Sequence, residues 1–195
     1  LSTEIKKELN MDVKTAILTR RAYRSLAPAE IKEELVRDLA ECASLAPSCF
    51  NKQPWRFVFV FDPKRLQEMR ESMSPGNEWT HQASLIVAVC TKKELDCVMK
   101  DGREYALFDT GLATAFLILR ATELGLVAHP IAGYDPAKVK ALLSIPEDLT
   151  VIALVNLGRK AAEINPGLPD WAAAAEKARP ERLPLGKYAF FNYYQ

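Results

Sequence analysis

The chain has 195 residues, 49% of them apolar and 26% charged, with 26 Lys plus Arg against 25 Asp plus Glu. That composition excludes a disordered or fibrous chain and supplies enough apolar surface for a core of domain size. A formal net charge of +1 gives no support for a general polyanion binder, so no nucleic-acid partner is expected.

The four cysteines, Cys42, Cys49, Cys90 and Cys97, show neither CxxC spacing nor secretory context. Reduced thiols in a cytoplasmic protein are the expectation. No apolar h-region opens the chain. The longest apolar stretch, Tyr105 to Val127, is interrupted by Asp109, Arg120 and Glu123, which suits a buried helix better than a membrane span. Without repeats, the chain reads as a single domain over 1–195, with an N-terminal segment over 1–12 and a C-terminal extension over 161–195.

In chain order, Val13 to Arg20 reads as a helix, and Ile31, Leu35, Leu39, Cys42 and Ala46 recur at helical spacing over Ala29 to Ala46. Pro47 ends that helix and a polar loop follows to Pro54. Trp55 to Phe61 is a near-continuous apolar run that suits a strand covered on both faces. Pro63 to Met73 predicts an amphipathic helix, Leu85 to Cys90 a second apolar strand and Val151 to Leu157 a third. Between the last two, Glu104 to Leu124 predicts a helix buried nearly all round, with Gly125 as its C-cap. A short extended segment, HPIAGYDP, and a helix from Pro136 to Leu143 follow. Beyond Gly158 comes a proline-rich stretch with an Ala-rich helical piece around Trp171. The chain then ends in Tyr188, Phe190, Phe191, Tyr193 and Tyr194. So aromatic a tail is expected to pack on something, a second subunit being one candidate.

Arg20, Arg21 and Arg24 would meet on one helix face. Their guanidinium forks suit phosphate oxygens; a solvated cationic helix end is the plainer alternative. The loop Pro47-Ser48-Cys49-Phe50-Asn51-Lys52-Gln53-Pro54 can point amides at a heteroaromatic ligand, although ordinary turn chemistry uses the same residues. In Ile131-Ala132-Gly133-Tyr134-Asp135-Pro136, Gly133 allows a close backbone approach or a turn, and Asp135 with Pro136 forms an N-cap and N1 pair. Asp109, on a mostly apolar helix, needs a partner if buried, most simply a structural hydrogen bond. No glycine-rich phosphate loop is present. His81 and His129 lie too far apart for a metal-ligand spacing, so no metal is expected. No catalytic side chain stands out.

Taken in this order, TRRAYRSL, APSCFNKQPWRF, the Asp109-Thr110-Gly111-Leu112 helix running into ELGL, IAGYDP and a strand ending at Leu157-Gly158 resemble the FMN-dependent nitroreductase family. The resemblance covers roughly residues 13 to 160, with a weaker match at Arg182-Leu183-Pro184. It implies an α+β, three-layer fold, a central and mostly antiparallel sheet flanked by helices, and a homodimer holding FMN at its interface. By the same resemblance, Arg20, Arg21, Ala22 and Arg24 grip the flavin phosphate and Arg182 assists. Pro47, Ser48, Cys49 and Asn51 reach the flavin from the neighbouring subunit. Asn77 meets the isoalloxazine edge, and the backbone of Ile131, Ala132 and Gly133 lies beside it near N5.

The implied activity is ping-pong hydride transfer through flavin N5, from NADH or NADPH to a small-molecule acceptor such as a nitroaromatic, a quinone or a related conjugated compound. FMN carries the difficult redox step, so no side-chain base is required. Ala22 stands where a hydroxyl is common, Cys49 where Ser is common, and Ala132 where the nitro-reducing branch often has an acid. The segment Lys92 to Arg103, where the family varies its lid, is short and charged. The alternatives are a non-catalytic flavin-binding or interaction protein, and a reductive dehalogenase or flavin-degrading enzyme of the same fold.

Overall fold

Two of the most apolar runs in the sequence meet at the centre of an antiparallel sheet. In the computed structural model, which describes residues 11–194, β3 (Leu85–Thr91) pairs with β5 (Thr150–Lys160) from Leu85 opposite Leu157 to Thr91 opposite Thr150. The first ten residues of the expected N-terminal segment and Gln195 lie outside the described residues. On the far side of β3 runs β2 (Arg56–Val60). The other edge of β5 carries β4 (Val127–Ile131), and β1 (Leu26–Ala27) pairs beyond it with Arg159 and Lys160. Every pairing is antiparallel.

Because successive side chains of a strand point to opposite faces, β3 feeds two cores. Leu85, Val87 and Val89 pack with Val36, Leu39 and Ala43 of α2 (Glu33–Ser44) and with Leu117 and Ala121 of α4 (Ala106–Glu123). Ile86, Ala88 and Cys90 pack on the other side with Met69 of α3 (Pro63–Met69) and Val139 of α5 (Pro136–Leu143). All seven β3 residues are buried. The aromatic run Trp55 to Phe61 is not covered on both faces: β2 is an edge strand, with Arg56 exposed and Phe57 and Phe59 half-buried.

Local chemistry sets the helix ends. Asp12 accepts from the N–H of Thr15 and starts α1 (Val13–Thr19). Asp62 before Pro63, and Asp135 before Pro136, cap α3 and α5 in the same way, satisfying otherwise unpaired N–H groups. Gly125 closes α4 at φ +75°, a conformation costly for other residues. The helix read over 63–73 ends at Met69 and continues as a 3-10 turn, Arg70–Ser72. The Ala-rich piece is α6 (Asp170–Lys177).

α4 departs from expectation. Ala106, Asp109, Thr110, Ala113, Leu117 and Ala121 form its buried stripe, yet Leu107 and Phe108 are 64% and 63% exposed and Phe116 is exposed too. Apolar residues do surround this helix, but its own chain covers only one side. Val13, Ile17 and Leu18 of α1, with Leu45 and Phe50 after α2, are likewise exposed. Among the described residues, no helix is long and apolar enough to cross a membrane.

Candidate cofactor site

α1 stops at Thr19, so the arginines after it do not share a helix face as the spacing predicts. They sit in a non-helical segment, and the tail completes the cluster. Arg20, Arg21, Ala22 and Arg24 line a cavity of about 340 Å³ together with Trp171, Ala175, Arg179, Pro180 and Arg182. Arg21 donates to the carbonyls of Ala175 and Glu176. Arg179 donates to the carbonyls of Leu18 and Arg20 at 2.7 and 2.8 Å. The Arg24 guanidinium lies 4.8 Å from the centre of the Trp171 ring, a cation–π contact. Beneath it the buried Glu176 carboxylate accepts from the backbone N–H groups of Arg24 and of Ser25, the latter at 2.8 Å.

These contacts hold the segment in place without cancelling its charge, since most of the acceptors are neutral carbonyls. Among the described residues, neither Arg20 nor Arg182 has a protein acceptor for its guanidinium. Burial lowers the pKa of Arg20, and Arg179, Arg182 and Arg21 lower it further. A cavity lined by cations that destabilise one another fits a phosphate, whose oxygens match guanidinium forks. The flavin phosphate expected here is such a group, although Ala22 brings no hydroxyl to it.

Behind the arginine segment lies the buried His129 of β4. His129 lies with Nδ1 3.0 Å from the carbonyl of Tyr23 and its ring stacked on Trp79 at 4.6 Å. Burial pushes its pKa down to about 4, with Arg24 and Arg20 adding to the effect. It is therefore neutral, and with a carbonyl as partner Nδ1 carries the proton. Trp79 Nε1 donates to Asn77 Oδ1 at 3.3 Å, and Asn77 Nδ2 donates to the carbonyl of Gly133 at 3.0 Å. A Cβ on Gly133 would lie 2.2 Å from that Nδ2, so glycine is required for the contact. The run from His129 to Gly133 spans about 13 Å at strand rise. It runs from beside the arginine segment to the exposed Ala132 and the half-buried Gly133, beyond the pairing of Ile131 with Leu154. Asn77, expected at a flavin edge, spends both ends of its amide within the chain and fixes the Gly133 backbone.

The loop carrying Pro47, Ser48, Cys49 and Asn51 stands apart from the arginine cluster. Ser48 Oγ accepts from the N–H of Gln53 at 3.0 Å. Asp109, buried on α4, accepts from the N–H of Cys49 at 2.6 Å, the structural hydrogen bond expected of it. Phe50, Asn51 and Gln53 all adopt positive φ, at 48°, 56° and 50°, a strain that tends to gather at functional loops. Phe50 is 85% exposed. Among the described residues, no hydrogen bond joins this loop to the arginine cluster. The residues expected at the cofactor thus fall into two separate groups in one chain: the arginines with Arg182, Asn77 and Ile131 to Gly133, and the loop over 47–51.

Sequence reasoning missed Trp171, Glu176 and Arg179. Glu176 carried a signal: with Ala172 it forms an i, i+4 pair on the buried side of α6, an acid where an apolar residue belongs.

Residues 17–159 match the model of the Nitroreductase family. The chain is 30% identical over 183 residues to a protein of Thermus thermophilus named NADH dehydrogenase, covering 78% of this chain and 89% of that one. A solved structure described as an oxidoreductase containing FMN superposes with a TM-score of 0.80 at 26% identity, covering 100% of this chain and 99% of the other. A nitroreductase family protein from Clostridium difficile 630 gives 0.74 at 22% identity, over 94% and 99% of the two chains, a likeness of fold alone. The three-layer α+β fold expected from the motifs is the fold found, and the chain belongs to the nitroreductase family.

Proposed function

We propose that the protein is an FMN-dependent NAD(P)H oxidoreductase acting on nitroaromatic, quinone or related conjugated acceptors. The observation that carries this reading is the arginine-lined cavity, in which, among the described residues, Arg20 and Arg182 have no protein acceptor. Arg20 and Arg182 would hold the phosphate, with Arg21, Arg24 and Arg179 supplying field from fixed positions. The Ala132–Gly133 backbone would lie beside the ring. When bound, FMN supplies a two-electron carrier that accepts hydride from a nicotinamide and passes the electrons on to an acceptor. The arginines lower the cost of a negative charge developing nearby, and backbone N–H groups do so without reorganising. The neutral His129 adds no further charge beneath them.

The separation of the 47–51 loop from the arginine cavity within one chain favours a homodimer, in which the loop of one copy would complete the arginine site of the other. The apolar face of α1, α2 and α4, with its groove of about 360 Å³ lined by Val13, Leu45, Phe116 and Leu119, is the surface such a copy would cover. The aromatic tail, with Tyr188, Phe191, Tyr193 and Tyr194 exposed, would pack on the same partner. The four free thiols suit a cytoplasmic setting. The test is a visible spectrum of the purified protein, followed by anaerobic NADH and then NADPH. Oxidised-flavin bands that bleach are expected. A colourless protein that cannot be reconstituted with FMN would overturn the reading, and flavin that neither nucleotide bleaches would move it to a binding role.

A further inference from the structure

The strained loop and the charged segment after β3 meet at a corner where ligating groups converge. Cys49 belongs to the 47–51 loop, whereas Asp96 and Cys97 follow the 3-10 turn Lys93–Leu95. The two Sγ atoms and an Asp96 carboxylate oxygen all lie within 4.8 Å of one another. Asp96 Oδ1 accepts from the N–H of Cys97 at 2.7 Å. Its other oxygen, Oδ2, is buried with no hydrogen-bond partner. The carboxylate beside it is that of Asp109, another acceptor.

Among the described residues, the neighbours of this group are the Asp109 carboxylate and the two thiols, and none of them is a cation. Of the basic side chains nearest in sequence, Lys92 pairs with Asp148, Lys93 with Glu104 and Arg103 with Asp101, and Lys100 is exposed. Among the described residues, no lysine or arginine pairs with Asp96 or Asp109. A buried carboxylate oxygen without a hydrogen-bond partner is costly to leave unmet. Two thiols and a carboxylate from two chain segments are a donor set for a borderline-soft divalent cation, and not for magnesium or calcium, which take oxygen ligands.

We propose that Cys49, Cys97 and Asp96 form a zinc site, with Asp96 Oδ2 as the oxygen ligand and a fourth position open to water. Tetrahedral zinc has metal–sulfur distances of about 2.3 Å and metal–oxygen distances of about 2.0–2.2 Å. Those distances set tetrahedral donor atoms about 3.5–3.8 Å apart, so donors within 4.8 Å of one another draw together by at most about 1 Å to meet them. Both thiols lose their protons on binding, and the ion neutralises charge beside Asp109. Zinc would tie the 47–51 loop to the segment between β3 and α4. Asp109 already holds Cys49 by its backbone, so one ligand is in place before the ion arrives. The site does not depend on the flavin reading.

The test uses the full-length protein as purified, kept reduced with a phosphine. It is equilibrated with zinc chloride, dialysed, and measured for zinc content and by zinc X-ray absorption, neither of which depends on flavin. The expected result is about one zinc per chain, with two sulfur scatterers at ~2.3 Å and one or two lighter ligands. Cys97→Ser should lower retained zinc at least about tenfold, and Asp96→Asn should remove a light scatterer while keeping both sulfurs. Cys42→Ser, whose thiol lies outside the cluster, should retain zinc as wild type does. Retention equal in wild type and Cys97→Ser, or an absorption spectrum without sulfur neighbours, would overturn the proposal.

Discussion

Arg20 and Arg120 show two uses of the same side chain. Arg120, between α2 and α4, donates to Asp38 at 2.6 Å and to Glu123 at 2.7 Å. Its pKa is raised, first by the Asp38 hydrogen bond. Its charge is consumed inside the fold, and the triad joins two helices. Arg20 has cations around it, and its pKa is lowered by burial and then by those neighbours. Arg21 and Arg179 are fixed there by carbonyl oxygens, which orient a guanidinium without neutralising it. An arginine whose charge is cancelled locally holds the structure together; arginines left uncancelled in a cavity stabilise something that comes from outside.

The largest expected effect is at Glu176, the buried acid that holds the arginine segment by its backbone. Its carboxylate holds two backbone N–H groups in a buried setting. Glu176→Ala should cost about 3–5 kcal/mol, as expected for breaking a buried charged contact. Urea unfolding should show the loss, and FMN titration should show weakened binding because the Arg20–Arg24 segment loses its anchor.

His129 gives the next largest effect, through pH. Its folded pKa of about 4 lies below the ordinary value of 6.5, so the unfolded chain binds the extra proton first. Stability from keeping it neutral is complete above pH 6.5 and falls away as pH drops towards 4. The shift corresponds to about 3 kcal/mol. Urea midpoints between pH 7 and 4.5 should show that slope, and His129→Asn should flatten it.

Arg20→Ala and Arg120→Ala sharpen the contrast directly. The first should weaken FMN binding roughly 10- to 100-fold, the worth of a charge-assisted contact, with no loss of stability in the flavin-free protein. The second should cost about 1–2 kcal/mol of stability by stranding two partly buried carboxylates, and should leave FMN affinity unchanged. Flavin fluorescence titration and urea unfolding on both variants separate the two roles. A smaller effect belongs to Gly133→Ala. The added Cβ displaces the Asn77 amide, a strain of about 1 kcal/mol, the low end for overpacking, that Asn77→Ala in the same chain should relieve.

Much of the frame could be read from the sequence because it rests on local chemistry. Asp135 with Pro136 starts α5 where expected, Gly125 ends α4, and the run at Leu85 is a fully buried strand. What stayed hidden depends on distant parts of the chain. The hydrophobicity of α4 predicted full burial, but periodicity cannot say whether its second side is covered by its own chain. Arg179 and Trp171 join the arginines only because α6 folds back onto the segment after α1. Cys49 and Cys97 stand far apart in sequence, with nothing local to suggest that their thiols meet. The arginine motif was legible as a list of residues, whereas its geometry was not: α1 ends before it, and the tail completes it.

The most direct test of the central claim compares FMN with riboflavin, which has the same ring and ribityl chain but no phosphate. Affinities are measured by fluorescence titration for the wild type and for Arg20→Ala. If the uncancelled arginines are there for a phosphate, the wild type should bind FMN about 100-fold or more tighter than riboflavin, and Arg20→Ala should erase most of that difference. Equal affinities for the two flavins in the wild type would contradict the account.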